Sequence, residues 1–234
     1  MIDGKKILGI IPARGGSKAI PRKNLKLLAG KPLIAWTIEE AKKSQYLDRI
    51  ILSSEDVEII ETATALGCET PFVRPSELAR DDTPGIEPVI HALNCIGEHY
   101  DYVVLLQPTS PLRTTDDIDG CIRYCVQEGA LVCVSVSLTD KHPCWMHTLD
   151  ERHRLHPLLQ TGQSIERRQD LPPIYIENGA VYVAETNFLL HEKNFITTEN
   201  LAYIMPPERS WDIDNEADFH YCSLLKGGYY GITC

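Results

Sequence analysis

The residues most clearly suited to bind a charged ligand lie in the loop IPARGGSKAIPRKN, which runs from Ile11 to Asn24. Within ten residues this loop carries four cationic side chains, namely Arg14, Lys18, Arg22 and Lys23. Gly15 and Gly16 allow the backbone to turn tightly and to bring N–H groups close to an anion, and Ser17 adds a hydroxyl donor. The combination predicts a site for a polyanion such as a nucleoside triphosphate, with a solvated basic turn as the alternative. The Walker A and GxGxxG patterns are both absent.

A second chemical feature is a pair of carboxylates near the end of the sequence. Asp212 and Asp214 flank Ile213. In an extended segment, residues two apart point to the same face. Two hard oxygen ligands arranged this way can hold Mg²⁺ together with the phosphates of a substrate. Because the DxD pattern is also common in exposed turns, its spacing alone leaves metal binding open.

The overall composition is that of a globular protein with an acidic balance. The chain has 234 residues, of which 43% are hydrophobic and 24% charged, and a net charge of -10. We therefore expect no nucleic-acid polymer as a partner. Eight cysteines without a CxxC pair predict free thiols in a reducing compartment. The N-terminus lacks a signal-peptide pattern and no run approaches the roughly 18 apolar residues of a membrane span, so we expect a cytoplasmic protein without a membrane partner.

The elements that must position these residues alternate between strands and helices. Runs rich in β-branched residues predict strands at Lys6–Ile11, Arg49–Ser53, Tyr102–Gln107 and Ala130–Val136. Helical periodicity predicts helices after Pro32 and over Glu55–Leu66, Pro88–Glu98 and Thr115–Glu128. This alternation predicts an α/β fold with a mostly parallel sheet and helices on both faces. Ligands of such sheets bind beyond the carboxyl ends of the strands, where the cationic loop and Gln107 are expected.

One segment, residues 138–178, interrupts the alternation. It is rich in His, Pro, Arg and Gln and has no long periodic run, so we interpret it as an inserted arm. The main domain is then predicted to comprise residues 1–137 and 179–226. Its last part should contain a strand at Gly179–Glu185 and a final helix over about Glu216–Leu225, followed by a frayed tail.

The cationic loop and five further segments, in order, resemble the acylneuraminate cytidylyltransferases, the CMP-sialic acid synthetase family. The further segments are VRPSELARDDT at Val73–Thr83, LLQPTSPLR at Leu105–Arg113, RRQDLP at Arg167–Pro172, NGAVY at Asn178–Tyr182 and SWDID at Ser210–Asp214. The resemblance covers residues 6 to 225, approximately. It implies a Rossmann-like nucleotidyltransferase fold, an arm at 138–178 that forms a homodimer and contributes to the sugar site, and Mg²⁺ as cofactor.

The resemblance also implies a role for individual residues. It assigns Arg14, Ser17 and Lys23 to the triphosphate of CTP, with Gly15 and Gly16 in the same loop. It assigns Asn24 to the ribose, and Arg74 with the backbone around Ala13 and Ala79 to cytosine, while residues 80–83 close over the base. It assigns Gln107, Arg168 and Tyr182 to the sugar, and Asp212 and Asp214 to the metal. Arg14, Lys23, Asp212 and Asp214 are the expected catalytic residues. For Arg113 the sequence leaves a structural role and a functional role equally open.

Two departures from the family pattern bear on the sugar. His142–Trp145 reads HPCW where the family usually has HPxK, and Ile176 occupies a position that often holds arginine. Trp145 offers a flat apolar surface, and Glu177 offers an acceptor for an N–H group. We therefore predict that the preferred sugar is a 5,7-diamino nonulosonic acid, such as a legionaminic acid, in place of N-acetylneuraminate. This makes the chain a CMP-legionaminic acid synthetase-like member of the family.

The predicted reaction joins CTP and a 2-keto-3-deoxy nonulosonic (sialic-acid-like) sugar to give a CMP-sugar and pyrophosphate. The general base is left open between Asp212 and a hydroxide on the metal. Alternatives are a nucleotidyltransferase of the same fold that uses another nucleotide or a sugar phosphate, a nucleotide-sugar glycosyltransferase, and a non-catalytic nucleotide-binding module. The RRQDLP segment argues against the first. The late position of the DxD pair argues against the second, and the joint presence of cations and carboxylates argues against the third.

Overall fold

A computed structural model describes residues 2–159, 167 and 170–228 of the chain. The strands in these residues are β1 (Ile7–Pro12), β2 (Leu27–Leu28), β3 (Lys31–Pro32), β4 (Arg49–Ser53), β5 (Tyr102–Leu105), β6 (Val132–Leu138), β7 (His147–Leu149), β8 (Leu155–Pro157), β9 (Tyr175–Glu185) and β10 (Leu201–Met205). The α-helices are α1 (Leu33–Lys43), α2 (Val57–Ala65), α3 (Glu87–Ile96), α4 (Thr115–Gln127), α5 (Thr186–Glu192) and α6 (Glu216–Lys226).

The central sheet has six strands in the order β10-β6-β9-β5-β1-β4. All neighbouring pairs are parallel except the two that involve β9, which is antiparallel to both β5 and β6. The mostly parallel sheet predicted from the sequence is therefore confirmed. In the register of the β5–β9 pair Leu105 lies opposite Tyr182. Because β9 runs in the opposite direction, the residues that precede Tyr182 extend beyond the carboxyl end of β5.

Helices cover both faces of the sheet, as predicted. On one face α1, α2 and α4 pack their apolar sides against the strands, and on the other face α3 and α5 do so. Local sequence signals set the ends of these helices. Asp56 caps α2 by accepting a hydrogen bond from the backbone of Ile59, and Thr114 with Asp117 forms a capping box on α4. A third apolar cluster joins α6 to the cationic loop through Ile20, Ile213 and Phe219.

The segment predicted as an arm contains a short antiparallel hairpin, β7–β8. All six residues of the hairpin are exposed, with Leu149 at 62% and Leu155 at 66%. The main sheet also reaches into this segment, because β9 begins at Tyr175, four residues before the predicted strand. The homodimer stays a prediction.

The cysteines of the described part of the chain are free thiols, and five of these seven are buried. Burial raises the pKa of the Cys68 and Cys125 thiols to about 12. These thiols therefore behave as apolar core residues. Within the described ranges, no helix combines the length and the apolar character needed to cross a membrane.

Candidate active site

A cavity of about 710 Å³ opens at the carboxyl ends of β1 and β5. Seven of the residues predicted to bind substrates contribute to its wall, namely Arg14, Ser17, Lys23, Asn24, Arg74, Gln107 and Tyr182. They come from positions 14 to 182 of the sequence, so only the fold brings them together. The cavity lies where open parallel sheets bind their ligands.

The start of the cationic loop is fixed by carboxylates of the neighbouring segment. The backbone N–H of Gly15 donates a hydrogen bond of 2.8 Å to Glu55. A Cβ atom at Gly15 would come within 2.3 Å of the Asp56 carboxylate, so a side chain does not fit at this position. Arg22 pairs with Asp56 and also with Glu58, at 2.5 Å from the latter. Arg22 therefore anchors the loop to the start of α2, and it is not part of the cavity wall in the described residues.

Two other cations of the loop share a single carboxylate. The guanidinium of Arg14 lies 2.9 Å from Asp81, and the ammonium of Lys18 lies 2.6 Å from the second oxygen of the same side chain. The hydrogen bond from Lys18 is the largest of the effects that hold the pKa of Asp81 below its usual range. Arg14 also donates to the carbonyl of Ala79 at 3.5 Å. The loop thus binds an anion already, and that anion comes from the segment 80–83.

Lys23 connects the cationic loop with the carboxylate pair. Its ammonium donates a hydrogen bond of 2.7 Å to the carbonyl of Ile213, the residue between the two aspartates. Burial lowers the pKa of Lys23, and the charges of Asp212 and Asp214 oppose this shift. Asn24, which is buried, donates to the carbonyl of Arg14 at 3.0 Å and so fixes the loop's path.

Arg74 is held rigidly at the other side of the loop. Its side chain is only 3% exposed and donates to Glu55 at 2.6 Å and to the carbonyl of Ala13 at 3.4 Å. Glu55 therefore bridges Arg74 and the backbone of Gly15. Arg74 also lines the cavity, where a planar group with hydrogen-bond acceptors could meet its guanidinium.

The carboxylate pair has one oxygen suited to a cation. Oδ1 of Asp212 is buried and has no hydrogen-bond partner in the described residues. Burial raises the pKa of Asp212; a hydrogen bond with Thr109 opposes this shift, and the charge of Asp214 adds to it. A divalent cation would satisfy the free oxygen and relieve the repulsion between the two carboxylates. No cluster of three or more His, Cys, Asp or Glu side chains suited to a metal occurs in residues 2–159, 167 and 170–228, so a cation here would need ligands from substrate or water.

Gly179 lies close to both Gln107, which lines the cavity, and Asp212, which like Asp214 is not part of the cavity wall in the described residues. A Cβ atom on Gly179 would lie 3.0 Å from Oε1 of Gln107 and 3.6 Å from Cγ of Asp212. The ring of Tyr182 packs against that of Phe195, with centroids 5.5 Å apart and an interplanar angle of 55°. Burial raises the pKa of Tyr182 to about 12, and the charges of Glu177 and Asp212 contribute. The phenol therefore stays protonated and can donate a hydrogen bond.

Of the residues on which the sugar prediction depends, some line the cavity and others do not. Glu177 is part of the cavity wall. Trp145 and Ile176 are exposed, at 40% and 57%, and neither contributes to the cavity wall among the described residues. Arg168 lies outside the described residues.

One stretch of the cavity wall has no counterpart in the sequence predictions. Residues 193–196 follow α5 and line the cavity beside Tyr182. The chain turns at Lys193, which has a φ angle of 51°. The side-chain amide of Asn194 then donates a hydrogen bond to the carbonyl of Ile196 and accepts one from its backbone N–H. The sequence KNFI matches none of the motifs considered above. Only the polar turn at Lys193–Asn194 could have indicated a loop.

The chain matches a family model described as cytidylyltransferase over residues 8–209. The chain belongs to the cytidylyltransferase family. This membership confirms the family resemblance found in the sequence motifs.

Three relatives of this cytidylyltransferase chain are similar over most of its length. The N-acylneuraminate cytidylyltransferase of Escherichia coli is 36% identical over 222 residues, which are 94% of this chain and 52% of that protein. The CMP-N,N'-diacetyllegionaminic acid synthase of Legionella pneumophila is 36% identical over 92% of this chain and 93% of that protein. A pseudaminic acid cytidylyltransferase of Campylobacter jejuni is 33% identical over 94% and 96%. The chain thus spans about half of the first relative and nearly all of the other two.

Two solved structures share the fold. A CMP:2-keto-3-deoxy-manno-octonic acid synthetase in complex with CTP has a TM-score of 0.71 and 16% identity, and the match covers 94% of this chain and 98% of the other. The 4-diphosphocytidyl-2C-methyl-D-erythritol synthase from Anaerococcus prevotii has a TM-score of 0.66 and 12% identity, with 96% and 97% covered. At these identities the likeness establishes the Rossmann-like architecture of the family.

Proposed function

We propose that the chain transfers a cytidylyl group from CTP to a nonulosonic, sialic-acid-like sugar and releases pyrophosphate. The observation that carries this proposal is the cavity in which the cationic loop and the polar pair Gln107 and Tyr182 converge, with the carboxylate Asp212 close to Gln107 on the other side of Gly179. Relatives named for N-acylneuraminate, diacetyllegionaminate and pseudaminate support the sugar class. The solved relative with bound CTP supports the nucleotide.

In the nucleotide half, the proposed ligands of the triphosphate are Arg14, Ser17 and Lys23. For this to happen Asp81 must give up Arg14, because carboxylate and phosphate compete for the same guanidinium. Asn24 is proposed to contact the ribose. Arg74 is proposed to contact cytosine, with the backbones of Ala13 and Ala79 beside it. The support is positional: Arg74 is bonded to the Ala13 carbonyl, and Ala79 accepts from Arg14.

Asp212 and Asp214 are the proposed ligands of a divalent cation, Mg²⁺ in our proposal. The unpartnered oxygen of Asp212 and the burial that raises its pKa fit this role. When bound, such a cation would neutralise charge on the phosphates of CTP. The ammonium of Lys23, held next to this pair through Ile213, would offset charge on the leaving pyrophosphate.

The chemical step is an in-line displacement at the α-phosphorus. The anomeric hydroxyl oxygen of the sugar forms the new bond to phosphorus, and the bond from that phosphorus to the oxygen bridging to the β-phosphate breaks. The hydroxyl proton leaves with the attack, and pyrophosphate departs with the electron pair of the broken bond. As in the sequence analysis, the proton acceptor is either Asp212, whose pKa is raised by burial, or a hydroxide on the cation. If Oδ1 of Asp212 holds the cation, only the other oxygen of this carboxylate could take the proton.

In the sugar half, Gln107 and the protonated Tyr182 are the proposed hydrogen-bonding residues, and the role of Arg168 rests on the family resemblance. We further propose a 5,7-diamino sugar, with Glu177 on the cavity wall as acceptor for an acylamino N–H. Trp145 could take part only if the arm 138–178 folds against a cavity, in this chain or in a second copy. A homodimer formed through that arm and a cytoplasmic location belong to the same proposal.

Pyrophosphate release tests the proposal directly. The chain is incubated with Mg²⁺, each of CTP, UTP, GTP and ATP, and a panel that contains N-acetylneuraminate, a diacetyllegionaminic acid, a pseudaminic acid and a sugar phosphate. Release with CTP and a nonulosonic acid only is the expected result. Release with another nucleotide or with the sugar phosphate favours the rival nucleotidyltransferase, and no release with any pair rejects the proposed reaction. A kcat/KM for N-acetylneuraminate equal to or above that for the diamino sugars rejects the finer sugar proposal.

A further inference from the structure

Arg113 is a fully buried arginine bonded to the backbone of Gln107, a residue of the cavity wall. Its side chain is 1% exposed. One terminal nitrogen donates to two backbone carbonyls, that of Gln107 at 3.1 Å and that of Ala180 at 2.6 Å. The other terminal nitrogen donates to the hydroxyl of Thr37 in α1 at 2.6 Å. A single guanidinium therefore joins three separate segments of the chain.

The electrostatics of Arg113 are unusual for a residue that only fills space. No carboxylate lies within ion-pair distance of it in the part of the chain that the structure describes. Burial lowers its pKa to about 10, with Asp117 and Glu40 opposing the shift from a distance, so the group stays charged at neutral pH. Burying an unpaired charge is destabilising, and an apolar side chain of similar size would fill the same volume without that cost. The three hydrogen bonds of the Arg113 guanidinium offset part of this cost and hold three segments of the chain in a defined arrangement.

The two carbonyls that Arg113 holds belong to the segments that form the sugar end of the cavity. Gln107 is the proposed sugar ligand itself. Ala180 follows Gly179, where an added Cβ atom would lie 3.0 Å from Oε1 of Gln107 and 3.6 Å from Cγ of Asp212. The same region is tied to the carboxylate pair, because the backbone N–H of Ile213 donates to the carbonyl of Thr109 at 2.9 Å. In the described residues, no hydrogen bond of Arg113 reaches the cationic loop.

We propose that Arg113 is a positioning residue that sets the distance between Gln107 on the loop after β5 and Gly179 on β9, and thereby shapes the sugar subsite beside Asp212. This inference rests on the proposed function, since it takes Gln107 as a sugar ligand. The planar fork of arginine fixes two carbonyls and a hydroxyl at defined angles. A lysine would keep the charge but could not hold three acceptors in that geometry.

The test compares Arg113→Lys and Arg113→Met with a matched control, Arg49→Met. Arg49 also bridges separate segments, through Glu69 and Glu98, but it lies at the start of β4, at the opposite end of the sheet from the cavity. For each variant we measure the Tm, the Kd for CTP by calorimetry without sugar, and KM and kcat for the sugar. Wild-type turnover is measured first.

The Arg113 variants should bind CTP within about twofold of wild type while kcat/KM for the sugar falls by about 10- to 100-fold, the range expected for a displaced contact group. Arg49→Met should lower the Tm but leave both the Kd for CTP and kcat/KM for the sugar close to wild type. Equal losses for CTP and sugar, or no loss for the sugar, would overturn the positioning role, as would failure of both Arg113 variants to fold. If the wild type binds CTP but turns over no nonulosonic acid, the proposed function itself falls and the inference falls with it.

Discussion

The limited space around Gly179, beside Gln107 and Asp212, gives a prediction whose size follows from the coordinates. In a Gly179→Ala variant the new methyl group would lie 3.0 Å from Oε1 of Gln107. An unstrained carbon–oxygen contact is about 3.3–3.6 Å, so the Gln107 amide must withdraw by about 0.3 Å or more. The methyl group would also lie 3.7 Å from Oδ1 of Asp212, which is an ordinary van der Waals contact, so the strain falls mainly on Gln107.

Gly179 also has a φ angle of 69°, which an alanine adopts only with strain. Gly129, which follows α4 at the surface, separates this strain from the local contact. Its φ angle is 62° and a Cβ atom there would meet nothing within 4 Å. Both Ala variants should lose about 1–2 kcal/mol of stability from the left-handed backbone. For a chain of this size that corresponds to a fall in Tm of roughly 2–4 °C for each kcal/mol.

Only Gly179→Ala should also lose activity, by roughly tenfold in kcat/KM for the sugar, because its methyl group displaces a contact residue by a fraction of an ångström. The assay is pyrophosphate release at varied sugar concentration, with thermal unfolding of both variants in parallel. If Gly179→Ala folds and keeps kcat/KM within about twofold of Gly129→Ala, the sugar does not bind at Gln107, and the proposed subsite is wrong.

Three further predictions concern the loop, the carboxylates and the arm. Arg14→Ala and Lys23→Ala should each lose roughly 100-fold in turnover with the fold intact; near-normal pyrophosphate release from both would remove the triphosphate assignment. Because the folded-state pKa of Asp212 is raised, its stabilising contribution is present at acid pH and is lost as pH rises through that pKa. Asp212→Asn should therefore abolish turnover yet raise the Tm at neutral pH in chelator, with no gain at acid pH; a lower Tm at neutral pH would contradict this. Light scattering should give the mass of a dimer for the wild type and of a monomer for Leu155→Asp, a substitution in the exposed hairpin of arm 138–178. An active wild-type monomer would exclude the arm as an interface.

Periodicity and local signals predict most of the secondary structure but not the direction of strands. Arg49–Ser53 is found as predicted, and the helix predicted from Glu55 starts at Val57 because Asp56 serves as its cap. The position of β9 between β5 and β6, antiparallel to both, leaves no mark in the spacing of its residues. A run of apolar residues reads the same in either direction.

The site was predictable where one short segment carries several chemical groups, as in the cationic loop. It was not predictable where partners come from distant segments. Asp81 meets Arg14 and Lys18 only because the segment between α2 and α3 forms part of the cavity wall opposite the cationic loop. Lys193 reaches the wall because the chain reverses at the end of α5. Arg113 remained undecided between packing and function, since nothing in the sequence indicates which carbonyls a buried guanidinium will find.

If the loop binds the triphosphate of CTP as proposed, the pairing of Asp81 with Arg14 and Lys18 makes that binding an exchange of one anion for another. An arriving triphosphate replaces a carboxylate and does not meet bare charge, so the electrostatic gain on binding is a difference between two anions. We therefore expect the affinity for CTP to fall less steeply with added salt than it would for a loop whose cations had no carboxylate partner. A nucleotide left with one phosphate gains least from the exchange, and Asp81 can then recover both cations. The carboxylate that neutralises the loop between turnovers should thus favour departure of the product.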